Sequence, residues 1–187
     1  AGDALLEVRF GFGQHLEVAA ERLREVAGID LCLPFLILAR KRLGGRGLLV
    51  AAEAERLPFA DRSFAAVVAA DVIEHVWDQR ATLEQMGRVL APGGHLFLST
   101  PNRFSLAPEP HVDLWGVGFL PRSWARRYVY RRRRISYKDV RPLSVFMLRW
   151  LLARHFPGQA RVLIPGLSRR QIEYFPAVKR ALALLYL

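Results

Sequence analysis

A chain of 187 residues, of which 52% are hydrophobic, is long enough to form one domain with a buried core. It contains no run of about 18 apolar residues and no basic leader followed by an apolar stretch, so we expect neither a spanning helix nor a signal peptide. The single Cys32 excludes an intramolecular disulfide and favours a reducing compartment, which we take to be the cytoplasm.

The chain is strongly basic, with 28 lysine and arginine residues, 17 acidic ones and a formal charge of +11. Nine of the basic residues lie between Arg122 and Arg141. Such a cluster attracts polyanions, which include nucleic acids, anionic lipids and phosphorylated substrates. A solvated arginine-rich surface without a partner is the alternative, and the composition leaves both open.

Strands and helices alternate along the first hundred residues, which predicts βαβ units and a parallel sheet in an α/β fold. The predicted elements are a strand at Ala4–Phe10, a helix at Gln14–Arg24, a strand at Glu25–Asp30, a helix at Pro34–Leu43, strands at Gly47–Ala52 and Ala65–Ala70, a helix at Arg80–Leu90 and a strand at His95–Ser99.

The pattern changes after Asn102. The remaining predicted elements are an ordered loop or lid at Arg103–Pro121, a basic aromatic helix at Arg122–Tyr130, an apolar helix at Leu143–Phe156, a sixth strand at Ala160–Ile164 and a helix at Ala177–Leu187. We expect one domain over residues 1–187, with a core at 1–103, a basic and aromatic lid at 104–142, and C-terminal helices with the last strand at 143–187. The chain starts without Met and stops inside an apolar segment, which is consistent with a fragment.

Polar residues follow the predicted strands, where ligands bind in open α/β sheets. Gly11 and Gly13 open the first strand-to-helix turn, and glycines there let the backbone approach a ligand closely. Asp30 ends the second strand, 17 residues after Gly13, and an acid at that place can accept both hydroxyl protons of a ribose. Glu53 and Asp71 follow the third and fourth strands. The alternative is that each acid only caps the helix after it.

Seven motifs then occur in a fixed order between about Leu5 and Arg103. They are E-x-x-x-G-x-G, G-I-D, E-A-E-x-L-P-F, S-F-x-x-V, D-V-I-E-H-V, L-x-P-G-G and S-T-P-N-R. This order resembles that of the class I S-adenosylmethionine-dependent methyltransferases. D-V-I-E-H-V and S-T-P-N-R are most similar to the small-molecule, ubiquinone-pathway O-methyltransferase type. The resemblance implies a Rossmann-like, doubly wound, mostly parallel sheet of six or seven strands with helices on both faces.

The resemblance also implies a function, the transfer of a methyl group from S-adenosylmethionine to a small-molecule acceptor, expected at oxygen. It assigns Glu7, Gly11 and Gly13 to the methionine and ribose ends of the cofactor, Asp30 to the ribose hydroxyls, Leu31 to the adenine face, Glu53 and Ala54 to the adenine edge, and Asp71 to the methionine side. A quinone-like or lipid-linked acceptor would suit a basic amphipathic helix, so we expect peripheral contact of Arg122–Arg141 with the inner face of an anionic membrane. Nucleic acid is the less favoured partner.

Arg9 departs from the family pattern, which usually has glycine at this position. Its side chain could block the cofactor, turn away from it or pair with its carboxylate. The alternative function is therefore a catalytically inactive module of the same fold that binds a polyanion, RNA or an anionic membrane, through its arginine-rich face.

Glu74 and His75 are the candidate catalytic residues, because a histidine just past a strand end can act as general base on a substrate hydroxyl. Two alternatives stay open: the pair caps the next helix, or Asp71, Glu74 and His75 hold a divalent cation, as the resemblance allows. We assign no metal site. His111 and Trp115, with Phe119 nearby, lie in the segment expected to pack as a lid or to shape the acceptor pocket.

Overall fold

The computed structural model describes residues 4–105 and 107–163. The strands are β1 (Ala4–Val8), β2 (Glu25–Asp30), β3 (Leu48–Ala51), β4 (Phe64–Ala70) and β5 (Leu90–Ser99). The helices are α1 (Gln14–Arg22), α2 (Leu33–Arg42), α3 (Gln79–Val89), α4 (Arg122–Arg133) and α5 (Val145–His155), and a short 3₁₀ turn spans Val117–Phe119.

The five strands form one fully parallel sheet in the order β3-β2-β1-β4-β5. The chain builds outward from β1 through β2 to β3 and then returns to add β4 and β5 on the other side of β1. The strand order therefore reverses between β1 and β4, and in such sheets the crevice beyond the carboxyl ends of these two strands binds ligands.

Helices cover both faces of the sheet. Successive side chains along a strand point to opposite faces, so each strand contributes to two cores. On β1, Leu6 and Val8 join the core that includes Leu83 and Met86 of α3. Leu5 instead joins a second core with Leu16 of α1. This confirms the doubly wound α/β fold.

The strand count differs from the prediction, since the described part of the chain has five strands rather than six or seven. Residues 160–163 of the predicted sixth strand are irregular, because this stretch is mostly exposed and pairs with no strand. Ile164 and the predicted helix at Ala177–Leu187 lie outside the described residues.

β5 begins five residues earlier than predicted. Phe64 pairs with Leu90 and Ala66 pairs with His95, so the register shifts between these pairs. Such a bulge lets Pro92, Gly93 and Gly94 lie inside a strand that they were expected to precede.

The segment after β5 has a small core of its own. Ala125 and Val129 of α4 pack against Val112, Val117 and Tyr137. Arginines also stabilise this segment: Arg133 donates to the carbonyl oxygens of Val112 and Asp113. In the part of the chain that the structure describes, no helix is long and apolar enough to cross a bilayer.

Candidate active site

The glycine turn after β1 leaves room at the crevice. Gly13 has φ 72° and is the N-cap of α1, and a Cβ there would lie 2.7 Å from the Cβ of Ala39. Gly11 has φ 54°, but a Cβ added to it would meet no atom within 4 Å. Gly13 is therefore required by packing, whereas the space at Gly11 is open to a ligand.

Glu7 is buried at the end of β1 with one oxygen unsatisfied. Its Oε1 lies 2.8 Å from Nδ1 of His15, while Oε2 is buried without a hydrogen-bond partner. Burial raises the pKa of the Glu7 carboxyl, and the hydrogen bond and charge of His15 oppose that rise. Buried polar atoms normally have a hydrogen-bond partner, so we expect Oε2 of Glu7 to accept a hydrogen bond from a ligand in the crevice.

Asp30 organises the same turn. Its Oδ2 accepts from the amide of Gly11 at 3.1 Å, and its Oδ1 accepts from the amide of Cys32 at 2.8 Å. The side chain is buried. The expected alternative, an acid that caps the following helix, is wrong here, because the N-cap of α2 is Cys32.

The other predicted cofactor residues lie at neighbouring strand ends. Leu31 is 63% exposed directly after β2, Glu53 is exposed after β3, and Ala54 is buried beside it. Asp71 follows β4 with φ 53°, and its Oδ1 accepts from the hydroxyl of Ser99 at 3.1 Å. Ser99 ends β5, so this contact ties the ends of two neighbouring strands together.

Arg9 lies in the left-handed region with φ 56°, and its amide donates to the carbonyl oxygen of Ile29 at 2.7 Å. The residue is exposed. Its charge nevertheless reaches His75, where it contributes to a lowered pKa of the imidazole. Arg9 is thus near the crevice without being part of the core.

Glu74 is fully buried, at 0% exposure. Its Oε2 accepts from the hydroxyl of Thr100 at 2.9 Å, and its Oε1 has no hydrogen-bond partner. That oxygen lies 3.9 Å from Nε2 of His111. Burial raises the pKa of the Glu74 carboxyl, although hydrogen bonds partly offset the effect.

His75 and His111 are hydrogen-bonded through their Nε2 atoms at 2.9 Å. The Nδ1 atom of His111 lies 2.5 Å from Oε1 of Glu109. The pKa of His75 is lowered to about 4, first by burial and then by electrostatic interaction with His111, in its protonated form, and with Arg9. His75 is therefore neutral at pH 7, as a proton acceptor must be.

The alternative in which Glu74 and His75 cap the next helix is wrong. Asp78 is the N-cap of α3, and its carboxylate accepts from the amides of Arg80 and Ala81. For the cation alternative, the atoms that come within 4.8 Å of one another belong to Glu74, His75 and His111, and Asp71 is not among them. As the structure stands, the two imidazoles bond directly to each other.

Sequence reasoning placed His111 in a segment that packs as a lid or shapes the acceptor pocket, and it assigned no role in the site to Glu109 or Thr100. Thr100 lies inside S-T-P-N-R, directly after β5, where a polar residue could have been expected. Glu109 and His111 flank a proline, and an acid two residues from a histidine was the available signal. Of the other expected pocket residues, Trp115 and Phe119 are at least half exposed, and Phe119 packs on Phe104 with ring centroids 5.6 Å apart.

Comparison with known proteins identifies the family. Residues 6–98 match the family model of a methyltransferase domain. A demethylmenaquinone methyltransferase from Clavibacter sepedonicus is 34% identical to the chain, and the match covers 97% of the chain and 77% of that protein. The chain belongs to the class I S-adenosylmethionine-dependent methyltransferases. The family that the motifs predicted is thereby confirmed, and with it the family's cofactor.

Other methyltransferases resemble the chain over part of their length. The ubiquinone/menaquinone biosynthesis C-methyltransferase UbiE from Chromobacterium violaceum is 32% identical, over 65% of the chain and 52% of that protein. A crystal structure of an S-adenosylmethionine-dependent methyltransferase from Mesorhizobium loti superposes with a TM-score of 0.70 at 21% identity, over 98% of the chain and 86% of that structure. The chain spans about half the length of most curated relatives that it matches.

Proposed function

We propose that this methyltransferase transfers a methyl group from S-adenosylmethionine to the oxygen of a small-molecule acceptor. The observation that carries the proposal is the unsatisfied Oε2 of Glu7, which is buried in β1 four residues before the open position at Gly11. Bound S-adenosylmethionine would supply an electrophilic methyl group on a positively charged sulfur.

The residues at the strand ends fit this cofactor. The ammonium group at its methionine end would donate a hydrogen bond to Oε2 of Glu7 and would neutralise the negative charge of that carboxylate. Asp30 keeps lone pairs for the ribose hydroxyls while it holds the glycine turn, since each carboxylate oxygen can accept more than one hydrogen bond. Gly11 and Gly13 would form the backbone turn against which the cofactor lies, because glycine lets a ligand approach the backbone closely. Leu31 would pack on the adenine face, and Glu53 and Ala54 would meet the adenine edge, where Glu53 would accept from the amino group. Asp71 would line the methionine side.

We assign His75 as the general base and Glu74 as an acidic neighbour of the base. Methyl transfer needs mainly proximity and alignment, so a base is required only for an acceptor that must lose a proton. A neutral, half-buried imidazole near the crevice suits a hydroxyl acceptor. The proposed attack at oxygen rests on this point.

Methylation at carbon is the second candidate. The printed name of the Chromobacterium relative specifies a C-methyltransferase of quinone biosynthesis. A ring hydroxyl that gives its proton to His75 would make the neighbouring ring carbon a better nucleophile, so the same base serves both outcomes. Transfer of a ¹³C-labelled methyl group to a hydroxylated quinol separates them, because an O-methyl and a C-methyl carbon have well-separated NMR shifts.

A membrane-associated, quinone-like or lipid-linked acceptor is supported by α4. This helix contains no acidic residue, and its outward face carries Arg127 and Arg131 beside Trp124 and Tyr130, which are 68% and 56% exposed. Basic and aromatic side chains on one helix face suit an anionic bilayer surface. The inactive polyanion-binding module remains the competing proposal and predicts RNA or vesicle binding without cofactor affinity.

Calorimetric titration with S-adenosylhomocysteine tests the proposed function. We expect binding by the parent protein, and a loss of roughly 1–3 kcal/mol in Asp30→Ala and in Glu7→Gln, because a buried hydrogen-bonding group is removed or left unpaired. Glu21→Ala, which removes an exposed acid from α1, is the matched control and should bind as the parent does. Absence of heat from the folded parent at millimolar ligand would exclude the methyltransferase proposal.

A further inference from the structure

We propose that Glu109, His111 and His75 form a proton relay, in which Nδ1 of His75 accepts the proton of the acceptor's hydroxyl group and Glu109 and His111 are positioning residues. The inference rests on the proposed function, because it concerns the base of the same reaction. It adds two residues to the site and specifies an acceptor with an ionisable hydroxyl.

The relay joins two segments that are distant in sequence. His75 follows β4, whereas Glu109 and His111 belong to the segment after β5. The Nε2 atoms of the two histidines are 2.9 Å apart, and Nδ1 of His111 is 2.5 Å from Glu109. Both contacts are within hydrogen-bond distance, so the three side chains form an unbroken chain.

The donor pattern of this chain follows from its carboxylate end. An ionised carboxylate can only accept, so Nδ1 of His111 carries the hydrogen that Glu109 accepts. A neutral His111 then has a lone pair on Nε2, and Nε2 of His75 must donate to it. Nδ1 of His75 is left unprotonated. It takes part in no hydrogen bond within the described residues, so it is available to accept a proton from the methyl-acceptor substrate.

Proton movement along this chain ends beside two acidic side chains. The acceptor hydroxyl gives its proton to Nδ1 of His75 and keeps the electron pair, and Nε2 of His75 passes its own proton to Nε2 of His111. The resulting positive charge faces Glu109 and also Glu74, whose Oε1 is 3.9 Å from that nitrogen. The His111 side chain is 23% exposed, so solvent can later remove the proton.

The loop around Glu109 is organised to hold this geometry. The second oxygen of Glu109 accepts from the amide of His111 at 3.1 Å. The Glu109 amide donates to Leu114, and its carbonyl oxygen accepts from Asp113 at 2.8 Å. Backbone and side chain of Glu109 are thus both fixed, which orients the His111 ring toward His75.

Ring ¹⁵N NMR of the histidines tests the relay without an acceptor or a cofactor. The spectra distinguish the two neutral tautomers, and His75→Asn and His111→Asn assign the signals. At neutral pH we expect a hydrogen on Nε2 of His75 and on Nδ1 of His111. In Glu109→Leu, His111 loses its acceptor, so its hydrogen moves toward Nε2 and the hydrogen of His75 moves toward Nδ1.

Matched variants keep this test decisive. Glu109→Gln is the milder variant if Glu109→Leu does not fold, and it should shift both rings in the same sense but less. Glu84→Leu, an exposed acid of α3, is the control and should leave both rings unchanged. A His75 ring that carries its hydrogen on Nδ1 in the parent, or that ignores both substitutions at Glu109, would overturn the relay.

Two further readouts separate competing outcomes. If stoichiometric MgCl₂ or ZnCl₂ shifts both rings in chelator-treated protein, the cluster binds a cation and the relay is wrong. With a hydroxylated acceptor, Glu109→Gln should lower kcat at least tenfold and leave the KM for S-adenosylmethionine unchanged. Failure of S-adenosylhomocysteine to bind would reject the proposed function alone, whereas normal binding with unresponsive His75 tautomers would reject only the relay.

Discussion

Charged residues near the crevice shift one another's pKa values, and His75 is the clearest example. Its lowered pKa has three causes, of which burial is the largest and the charges of His111 and Arg9 follow. Asp71 acts in the opposite direction. The protonation state of the proposed base therefore depends on several side chains that are far apart in sequence.

Substitution of Arg9 by glycine tests this electrostatic link. We expect Arg9→Gly to raise the pKa of His75 from about 4, because one of the positive charges that disfavour the imidazolium is removed. The pKa is measured by NMR titration of the assigned His75 ring. Stability should change by less than about 1 kcal/mol, since glycine tolerates the left-handed conformation but gives the unfolded chain more freedom.

Arg62→Gly is the matched control for this substitution. Arg62 is also exposed and also has φ 56°. It precedes β4, at the edge of the sheet opposite to Arg9, which follows β1. The two variants change charge and backbone freedom equally. Equal His75 titration curves in both variants and the parent would show that Arg9 does not act on this imidazole.

Glu74→Gln tests the cost of the buried carboxyl. The folded pKa of Glu74 is raised, so the fold favours its protonated form. That contribution to stability is fully present below the unfolded pKa of about 4.3 and is lost as the pH rises through the folded pKa. The neutral amide of the substituted glutamine mimics the protonated carboxyl at every pH. The unfolding free energy of Glu74→Gln minus that of the parent should therefore increase with pH across this window, as measured by urea denaturation, and a pH-independent difference would contradict the raised pKa.

At the scale of elements, the turn between β1 and α1 contains two glycines that the structure uses differently. Gly13 lies against α2 through Ala39, whereas Gly11 faces open space. Both have positive φ. One turn thus provides helix packing at one glycine and a ligand space at the other.

A pair of alanine substitutions separates these two roles. Gly11→Ala should cost about 1–2 kcal/mol of stability from backbone strain alone. It should also weaken S-adenosylhomocysteine binding at least tenfold, because the new Cβ occupies the open position. Gly13→Ala should cost more stability, since overpacking against Ala39 adds about 1–3 kcal/mol. Thermal unfolding and calorimetry measure the two effects, and equal stability losses would contradict the assignment.

At the scale of the whole molecule, with its charge of +11, the arginines fall into two groups that have different surroundings. Arg133 and Arg141 donate to backbone carbonyl oxygens, and Arg88 bonds the carbonyl oxygens of Leu57 and Phe59. These arginines stabilise loops. Within the described residues, Arg127 and Arg131 on the outward face of α4 make no hydrogen bond of this kind, so both are available to an anionic surface.

Charge reversal on α4 tests membrane contact. We expect the double variant Arg127→Glu, Arg131→Glu to bind phosphatidylserine vesicles at least tenfold more weakly than the parent, because each basic residue near an anionic surface contributes about 1 kcal/mol. Sedimentation with vesicles measures the affinity. The double variant Arg40→Glu, Lys41→Glu on α2 changes the net charge equally and should bind more nearly as the parent does. Equal losses would mean that only the overall charge matters.

The amino-acid sequence by itself determined the local features of this protein. Apolar runs that end in glycine or acid specified the first four strands and the Gly11, Asp30 and Asp71 positions, because strand formation and turn chemistry depend on neighbouring residues. The motif order between Leu5 and Arg103 was enough to predict the family. The sixth strand at Ala160–Ile164 was predicted wrongly for 160–163, because a short apolar run forms a strand only where a neighbour pairs with it.

Only the tertiary structure decided the contacts between distant segments. Nothing local to His75 predicts that a ring 36 residues later bonds to it, or that Glu109 orients that ring. Helix capping was one alternative for Glu74, but Asp78 is the N-cap of α3 and Glu74 is fully buried. Burial and pairing of polar groups depend on which surfaces the fold brings together, and these fix the pKa values and the donor pattern of the proposed active site.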